Sequence, residues 1–326
     1  MTDAPQTDAP LTIGLFSKGR QKEQAEEWLA DCGLPLETEG GDRGYLAEIK
    51  GLPDARVLLL SASDIAAGLD AGDLHIGISG EDLLRERGEA VDAHVMLLRP
   101  LGFGRADLVV ATPASWIDVE TMADLEEVAA AFVARTGRRM RVATKYMVQT
   151  RSFFASHGVV DYRIVESSGA TEGAPAAGQA ELIVDITTTG ATLKANGLKV
   201  LEDGLILRSQ MQLCASLVAR WTPAQLASAR RLMSIVEARA RARRTALVSW
   251  PAEQDQDAEA AIQPFLARGA TRRAQGVLAE IDTLFEVTAA LAQAKVGPVS
   301  VVRPDFAFEP KSAAGDRLSM RLGERS

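Results

Sequence analysis

Cysteine and histidine are scarce: Cys32 and Cys214, with His75, His94 and His157, are all that 326 residues supply. Two cysteines in so long a chain make no disulfide framework. Cys32 falls in an expected helix and Cys214 in an expected strand, where both read as small buried hydrophobes. The histidines lie too far apart for metal-ligand spacing, so no metal is assigned to protein ligands. No apolar run approaches the ~20 residues that a membrane helix needs. Positive charge is not in excess either, and a net charge of -8 argues against nonspecific nucleic-acid binding. Residues 1–10 carry neither the basic nor the apolar stretch of a secretory signal and read as a short disordered lead-in. These absences point to a cytoplasmic globular protein. Its length suits two or three domains.

What is present is a repeated alternation of short apolar runs and helical patterns. Residues 11–16, 57–60, 74–78, 107–111, 141–144, 162–166 and 181–186 read as strands. Helical patterns follow most of them, at 64–69, 121–136 and 146–157 among others. This order argues for an α/β fold with a largely parallel sheet, in which ligands bind beyond the carboxyl ends of the strands. Residues 223–243 read as a long helix with Thr222 as N-cap and Pro223 in the first turn. Beyond it the order β-α-β(β)-α-β over 245–310 suggests a small α+β domain of ferredoxin-like or ACT-like type. The tail, 311–326, reads as loose.

The segment with the most chemistry runs from Asp185 through Ile186, Thr187, Thr188, Thr189, Gly190, Ala191 and Thr192 to Leu193. It follows the apolar run 182–184, so it is a strand-to-turn junction. A phosphate needs several donors converging on a small volume. Turn amides, helix N-terminal amides and hydroxyls supply them, and a glycine frees the backbone. Asp185 at the strand end suits ribose hydroxyls. The plainer alternative is a threonine-rich turn capping a helix. Lys18 and Arg20, around Gly19, place two cations after the first strand, either to neutralise phosphate charge or as solvated surface groups. Arg43, between Gly41 and Gly44, is a weaker candidate of the same kind.

The 185–198 string resembles the phosphoribosyl pyrophosphate (PRPP) signature of ATP phosphoribosyltransferases. Further segments resemble that family in the same order. They are 15–20 with its Lys-Gly-Arg turn, 73–82, 101–104 with Gly102 and Phe103, 141–146 with Lys145, and 166–175 beginning at Glu166. The likeness is continuous over residues 11–217. It implies a two-lobed core similar to type II periplasmic binding proteins: lobe I from 11–100 and 185–222, lobe II from 101–184, and a connecting helix at 223–244. It implies transfer of phosphoribosyl from PRPP to ATP, with Mg²⁺ on the pyrophosphate. In that likeness Glu166, Asp185, Thr187, Thr188, Thr189, Gly190, Ala191 and Thr192 hold PRPP. Arg43, Gly102, Phe103 and Lys145 face ATP, and Lys18 and Arg20 serve catalysis. Phe103 has a second reading as core, and Lys145 as a helix cap.

The third domain resembles the regulatory domain of the family's long form, which binds histidine as a feedback inhibitor in enzymes that assemble as dimers and hexamers. Two departures bear on that regulation. Residues 268–282 are short for the family's strand pair. Residues 294–298, Ala-Lys-Val-Gly-Pro, lack its glycine-alanine pair. Two other functions compete: a two-lobed small-molecule binding protein without turnover, and a phosphoribosyltransferase that uses another base.

Overall fold

A computed structural model describes residues 9–38, 45–274 and 276–323. The first lobe opens with β1 (Leu11–Phe16), α1 (Arg20–Asp31), β2 (Leu36–Thr38), β3 (Leu46–Ile49), β4 (Ala55–Leu60) and α2 (Ala62–Ala71). It continues with β5 (Ile76–Gly80), α3 (Glu81–Arg85), α4 (Val91–His94) and β6 (Val95–Pro100). The chain then crosses into the second lobe, made of β7 (Ala106–Pro113), α5 (Met122–Thr136), β8 (Met140–Thr144), α6 (Met147–Ser156) and β9 (Tyr162–Glu166). β10 (Leu182–Thr187), α7 (Ala191–Ala195) and β11 (Leu198–Ser209) complete it, and β12 (Met211–Ser216) returns the chain to the first sheet.

The two sheets run β2-β3-β4-β1-β5-β12-β6 and β11-β7-β10-β8-β9. Each has a parallel centre, β4-β1-β5 in one and β10-β8-β9 in the other. Antiparallel strands flank the first centre on both sides, β3 and β12, and the second on one side, β7, with β9 at the sheet edge. The sheets are therefore mixed, less parallel than the sequence suggests. Burial explains why the central strands read so plainly: β1, β5 and residues 182–184 of β10 are covered on both faces.

The return to lobe I comes at Met211, not at Asp185 as the sequence reading has it. The 185–193 segment and all of β11 belong to the second lobe. β11 escapes pattern reading because its pairing with β7 slips between Val200 and Leu205. There the bulged residues turn to other partners: the Glu202 amide donates to the Glu120 carbonyl, and the Asp203 carboxylate accepts from the Met122 amide. Such a bulge breaks the period of two on which recognition of a strand depends.

One ion-pair cluster fastens the amino ends of the lobe II strands. Glu181 accepts from the Arg141 amide at 2.6 Å, the Arg141 guanidinium at 2.8 Å and Arg138 at 3.0 Å. Burial alone would raise this carboxyl, but the two arginines and the amide overcome it and hold Glu181 down to about 2. A depressed carboxylate stabilises the fold above its unfolded pKa and loses that contribution as pH falls through the folded one. Glu181→Gln is expected to cost about 2 kcal/mol at pH 7. In urea unfolding followed against pH, the gap to the parent should close between about pH 4.5 and 2; a gap independent of pH would refute the assignment.

α8 (Pro223–Arg244) leads out of the core, with Thr222 and Gln225 forming a capping box and Pro223 in the first turn, as expected. The third domain follows: β13 (Thr245–Ser249), α9 (Asp255–Leu266), β14 (Thr271–Arg273), β15 (Gly276–Glu280), α10 (Leu284–Gln293) and β16 (Ser300–Val302). Its sheet order β14-β15-β13-β16, antiparallel throughout, is the ferredoxin-like arrangement. The short segment 268–282 does hold a strand pair, reduced to three and five residues.

The tail is not loose. Residues Ala313–Gly323 form α11, which packs on α8 and β6. Ala314 and Leu318 are buried in the first lobe's core, the Ala314 amide donates to Glu237, and Asp316 pairs with Arg230. Gly315 permits the close approach, since a Cβ there would meet Arg230 Cγ of α8 at 3.3 Å. Small residues weaken the apolar pattern while allowing tight packing, which hides the helix from composition. Leu318→Ala is expected to lower unfolding stability by about 2–4 kcal/mol, whereas a change below 0.5 kcal/mol would mean the tail is dispensable to the core. At the other end, Ala9 and Pro10 are held by hydrogen bonds from Gln225 to their carbonyls; residues 1–8 lie outside the described residues.

Candidate active site

The 185–193 segment folds as a phosphate cradle would require. β10 ends at Thr187, and Gly190 turns the chain with φ of 72°, the left-handed region that glycine enters without steric cost. The turn is fixed from within: the Gly190 amide donates to Thr187 Oγ1 at 2.9 Å and the Ala191 amide to Thr189 Oγ1 at 3.4 Å. α7 starts at Ala191, so its first-turn amides open beside the threonine hydroxyls. Thr188 reaches back to the Arg105 carbonyl at the lobe crossing.

These residues line a cavity of about 270 Å³, bounded by Asp185, Ile186, Thr187, Thr188, Thr189 and Thr192, with Glu172, Ala106 and Leu193. A larger depression of about 440 Å³ lies at the opposite, amino ends of β8 and β9, among Arg138, Arg139, Arg141 and Arg163. Open α/β sheets place chemistry at the carboxyl ends, which favours the threonine cavity. Burial raises the Asp185 carboxyl above its usual range; the Ile186 amide and Lys145 oppose the rise, and Glu172 adds to it. A half-desolvated carboxylate keeps its acceptor strength for hydroxyl groups entering from the cavity.

The structure sorts the other candidates. Lys145 is exposed at the end of β8, 4.9 Å from the Tyr146 ring centroid and close enough to act on Asp185. Glu166 ends β9 in register with Thr144 and is exposed; Glu172, not Glu166, lines the cavity with Asp185. Lys18 and Arg20 stand exposed beyond the carboxyl end of β1, their side chains without ion pair or hydrogen bond to any described residue. Gly102 and Phe103 lie at the crossing between lobes. The Phe103 carbonyl accepts from the Met211 amide and its ring packs on the first lobe's core, in line with its plainer reading. Arg43 falls outside the described residues.

Three residues that sequence reasoning did not assign join the lobes beside this site. Asp82 is buried at the start of α3, with Tyr146 Oη donating to one carboxylate oxygen at 2.7 Å and Ser209 Oγ to the other at 2.7 Å. An acid in a first helical turn carries no sign of burial in the sequence, and Ser209 carries no signal at all.

The family profile described as "HisG: ATP phosphoribosyltransferase" matches residues 61–237, more than half of the chain. A protein of Caulobacter vibrioides named ATP phosphoribosyltransferase is 64% identical over 313 residues, covering 96% of this chain and 98% of the relative. The chain belongs to the ATP phosphoribosyltransferase family. A relative of the same name from Rhodopseudomonas palustris is 59% identical over 233 residues, 72% of each chain. Among solved structures, the ATP phosphoribosyl transferase (HisG:HisZ) complex from Thermotoga maritima matches with a TM-score of 0.53 at 27% identity, covering 70% of this chain and 98% of that one. The two sheets and the two crossings between them make the two-lobed core that the family likeness implies.

Proposed function

We propose that the 185–193 cavity performs the family's reaction: N1 of the adenine of ATP displaces pyrophosphate at C1 of PRPP. The product is N1-(5-phosphoribosyl)-ATP, the first intermediate of histidine biosynthesis. The observation that carries this reading is the convergence of Thr187, Thr188, Thr189 and Thr192 with a half-buried Asp185 on one small cavity. The hydroxyls and turn amides would take the 5-phosphate, and Asp185 and Glu172 the ribose hydroxyls. Lys145 from lobe II, with Lys18 and Arg20 from lobe I, would offset the triphosphate of ATP. The transition state is oxocarbenium-like and loses a multiply charged leaving group. The chain's task is therefore to hold C1 and N1 in line and to stabilise charge, without a covalent enzyme intermediate.

Among the described residues no three carboxylate, histidine or cysteine side chains gather as a metal site. Mg²⁺ would enter with the pyrophosphate, and Glu172 and Asp185 on the same cavity would offer it hard oxygen donors. Bound so, Mg²⁺ would supply charge neutralisation to the leaving group. No helix of the described residues is long and apolar enough to cross a membrane, and the same reading places the enzyme in the cytoplasm. Assembly as a homo-oligomer, dimer or hexamer, is supported by β16. It is an edge strand with Val301 and Val302 exposed, and Phe285 of α10 in the same domain is 85% exposed.

The test mixes purified protein with ATP, PRPP and Mg²⁺, following phosphoribosyl-ATP by ultraviolet absorbance and mass. Pyrophosphatase draws the equilibrium forward. Product is expected with ATP and not with other bases. PRPP binding without turnover would favour the small-molecule-binding alternative. A parallel arm with histidine examines the third domain: inhibition is expected if it regulates as in the long form, and its absence would assign the domain to assembly alone.

A further inference from the structure

The two lobes are joined beside the site by buried polar contacts. Asp82, at the start of α3 in lobe I, accepts from Tyr146 of lobe II and from Ser209 at the end of β11, each at 2.7 Å. The Asp82 amide donates to Ser209 Oγ at 3.0 Å, and its carbonyl accepts from Gln149 Nε2 at 2.9 Å. Glu86, just past α3, then accepts from the amides of Val148 and Gln149 at 2.8 and 3.2 Å. These are first-turn amides of α6, a helix whose own N-cap residue, Tyr146, offers no side-chain cap. A carboxylate of one lobe thus caps a helix of the other. Leu83, between Asp82 and Leu84, packs against both lobe cores.

The contacts sit where the substrates are to meet. Tyr146 follows Lys145 directly, and the Lys145 ammonium lies over the Tyr146 ring. The Tyr146 ring is fully buried, and burial first, then Asp82 and Asp185, hold its phenol protonated as a hydrogen-bond donor. Lys145 and the Asp185 loop therefore ride on the lobe that Tyr146 ties down, while Lys18 and Arg20 ride on the lobe that carries Asp82. A buried carboxylate with two hydroxyl donors has one arrangement that satisfies it, and separating the lobes by even an ångström or two would leave it unpaired.

We propose that Asp82, Tyr146 and Ser209, with Glu86 on the α6 terminus, form an interlobe clasp that fixes the angle between the PRPP-holding lobe and the lobe bearing Lys18 and Arg20. Tyr146 is then a positioning residue for the displacement reaction. This inference rests on the reaction assigned above, and it makes a demand that a merely stabilising contact does not. The loop that holds PRPP lies wholly in lobe II, so its affinity for PRPP does not depend on the angle. The approach of N1 to C1 does.

The test uses the full chain and compares the parent with Tyr146→Phe. PRPP binding is measured by calorimetry without ATP, and turnover with both substrates saturating. For Tyr146→Phe the PRPP dissociation constant is expected to stay within about twofold, while kcat falls on the order of 10- to 100-fold. Small-angle X-ray scattering of the unliganded variant should show a more open particle. Should Tyr146→Phe not fold, Glu86→Gln at a half-buried side chain carries the same comparison, with a smaller loss in kcat. Undiminished kcat in a folded variant would overturn the clasp. So would a loss of PRPP affinity as large as the loss in kcat, since that places the effect in the loop itself. Absence of product from the parent chain would instead overturn the reaction, and the parent is assayed alongside for that reason.

Discussion

Gly190→Val is expected to raise the dissociation constant for PRPP on the order of 100-fold while leaving the two lobes folded. Two effects add. Gly190 has φ of 72°, which a β-branched residue reaches only at a cost of about 1–2 kcal/mol. A Cβ built there meets no protein atom within 4 Å. The added side chain thus has room beside the threonine loop, where the proposed site holds the 5-phosphate. Gly190→Ala separates the terms, since it brings the strain with little bulk; about a tenfold loss is expected. Calorimetry of the three proteins, with urea midpoints to confirm folding, measures both. Near-parent affinity in the Val variant would remove the loop from the PRPP site.

Asp185→Asn is expected to separate stability from activity. Burial raises this carboxyl in the folded chain, against the Ile186 amide and Lys145. A raised acid favours folding while protonated, and that contribution is lost as pH rises through the folded pKa. At neutral pH the ionised side chain is thus a burden, and its neutral isostere should melt at a higher temperature than the parent. The difference should shrink as the pH falls toward the usual carboxylate range, where the raised carboxyl of the parent takes up its proton. Asn still accepts from the Ile186 amide but gives ribose hydroxyls a weaker acceptor. kcat/KM should therefore fall on the order of 10- to 100-fold. Thermal melts from pH 4 to 8 and initial rates test the pair of claims. A variant that loses stability at neutral pH would show the carboxylate to be structural.

Much of this was legible in the sequence, for reasons that separate what was read from what was missed. Tyr162–Glu166 and the helix from Thr222 onward were readable because apolar runs and caps are local signals. The threonine loop was readable because a phosphate site needs its donors close together in the chain. β11 was not, since its bulge disrupts alternation, and without it the return crossing reads at Asp185 and not at Met211. α11 was not, because its packing relies on alanine and glycine. The clasp was invisible for another reason: Asp82, Tyr146 and Ser209 are 64 and 63 positions apart, and only the fold brings them together.

The division of labour within the cavity is tested most directly by titrating ribose 5-phosphate and pyrophosphate separately into the parent chain and into Gly190→Val, with Mg²⁺ present. If the loop holds the 5-phosphate, the variant loses ribose 5-phosphate binding and keeps its affinity for pyrophosphate. If pyrophosphate binding fails while ribose 5-phosphate still binds, the loop faces the leaving group instead, and the orientation of PRPP proposed here is contradicted.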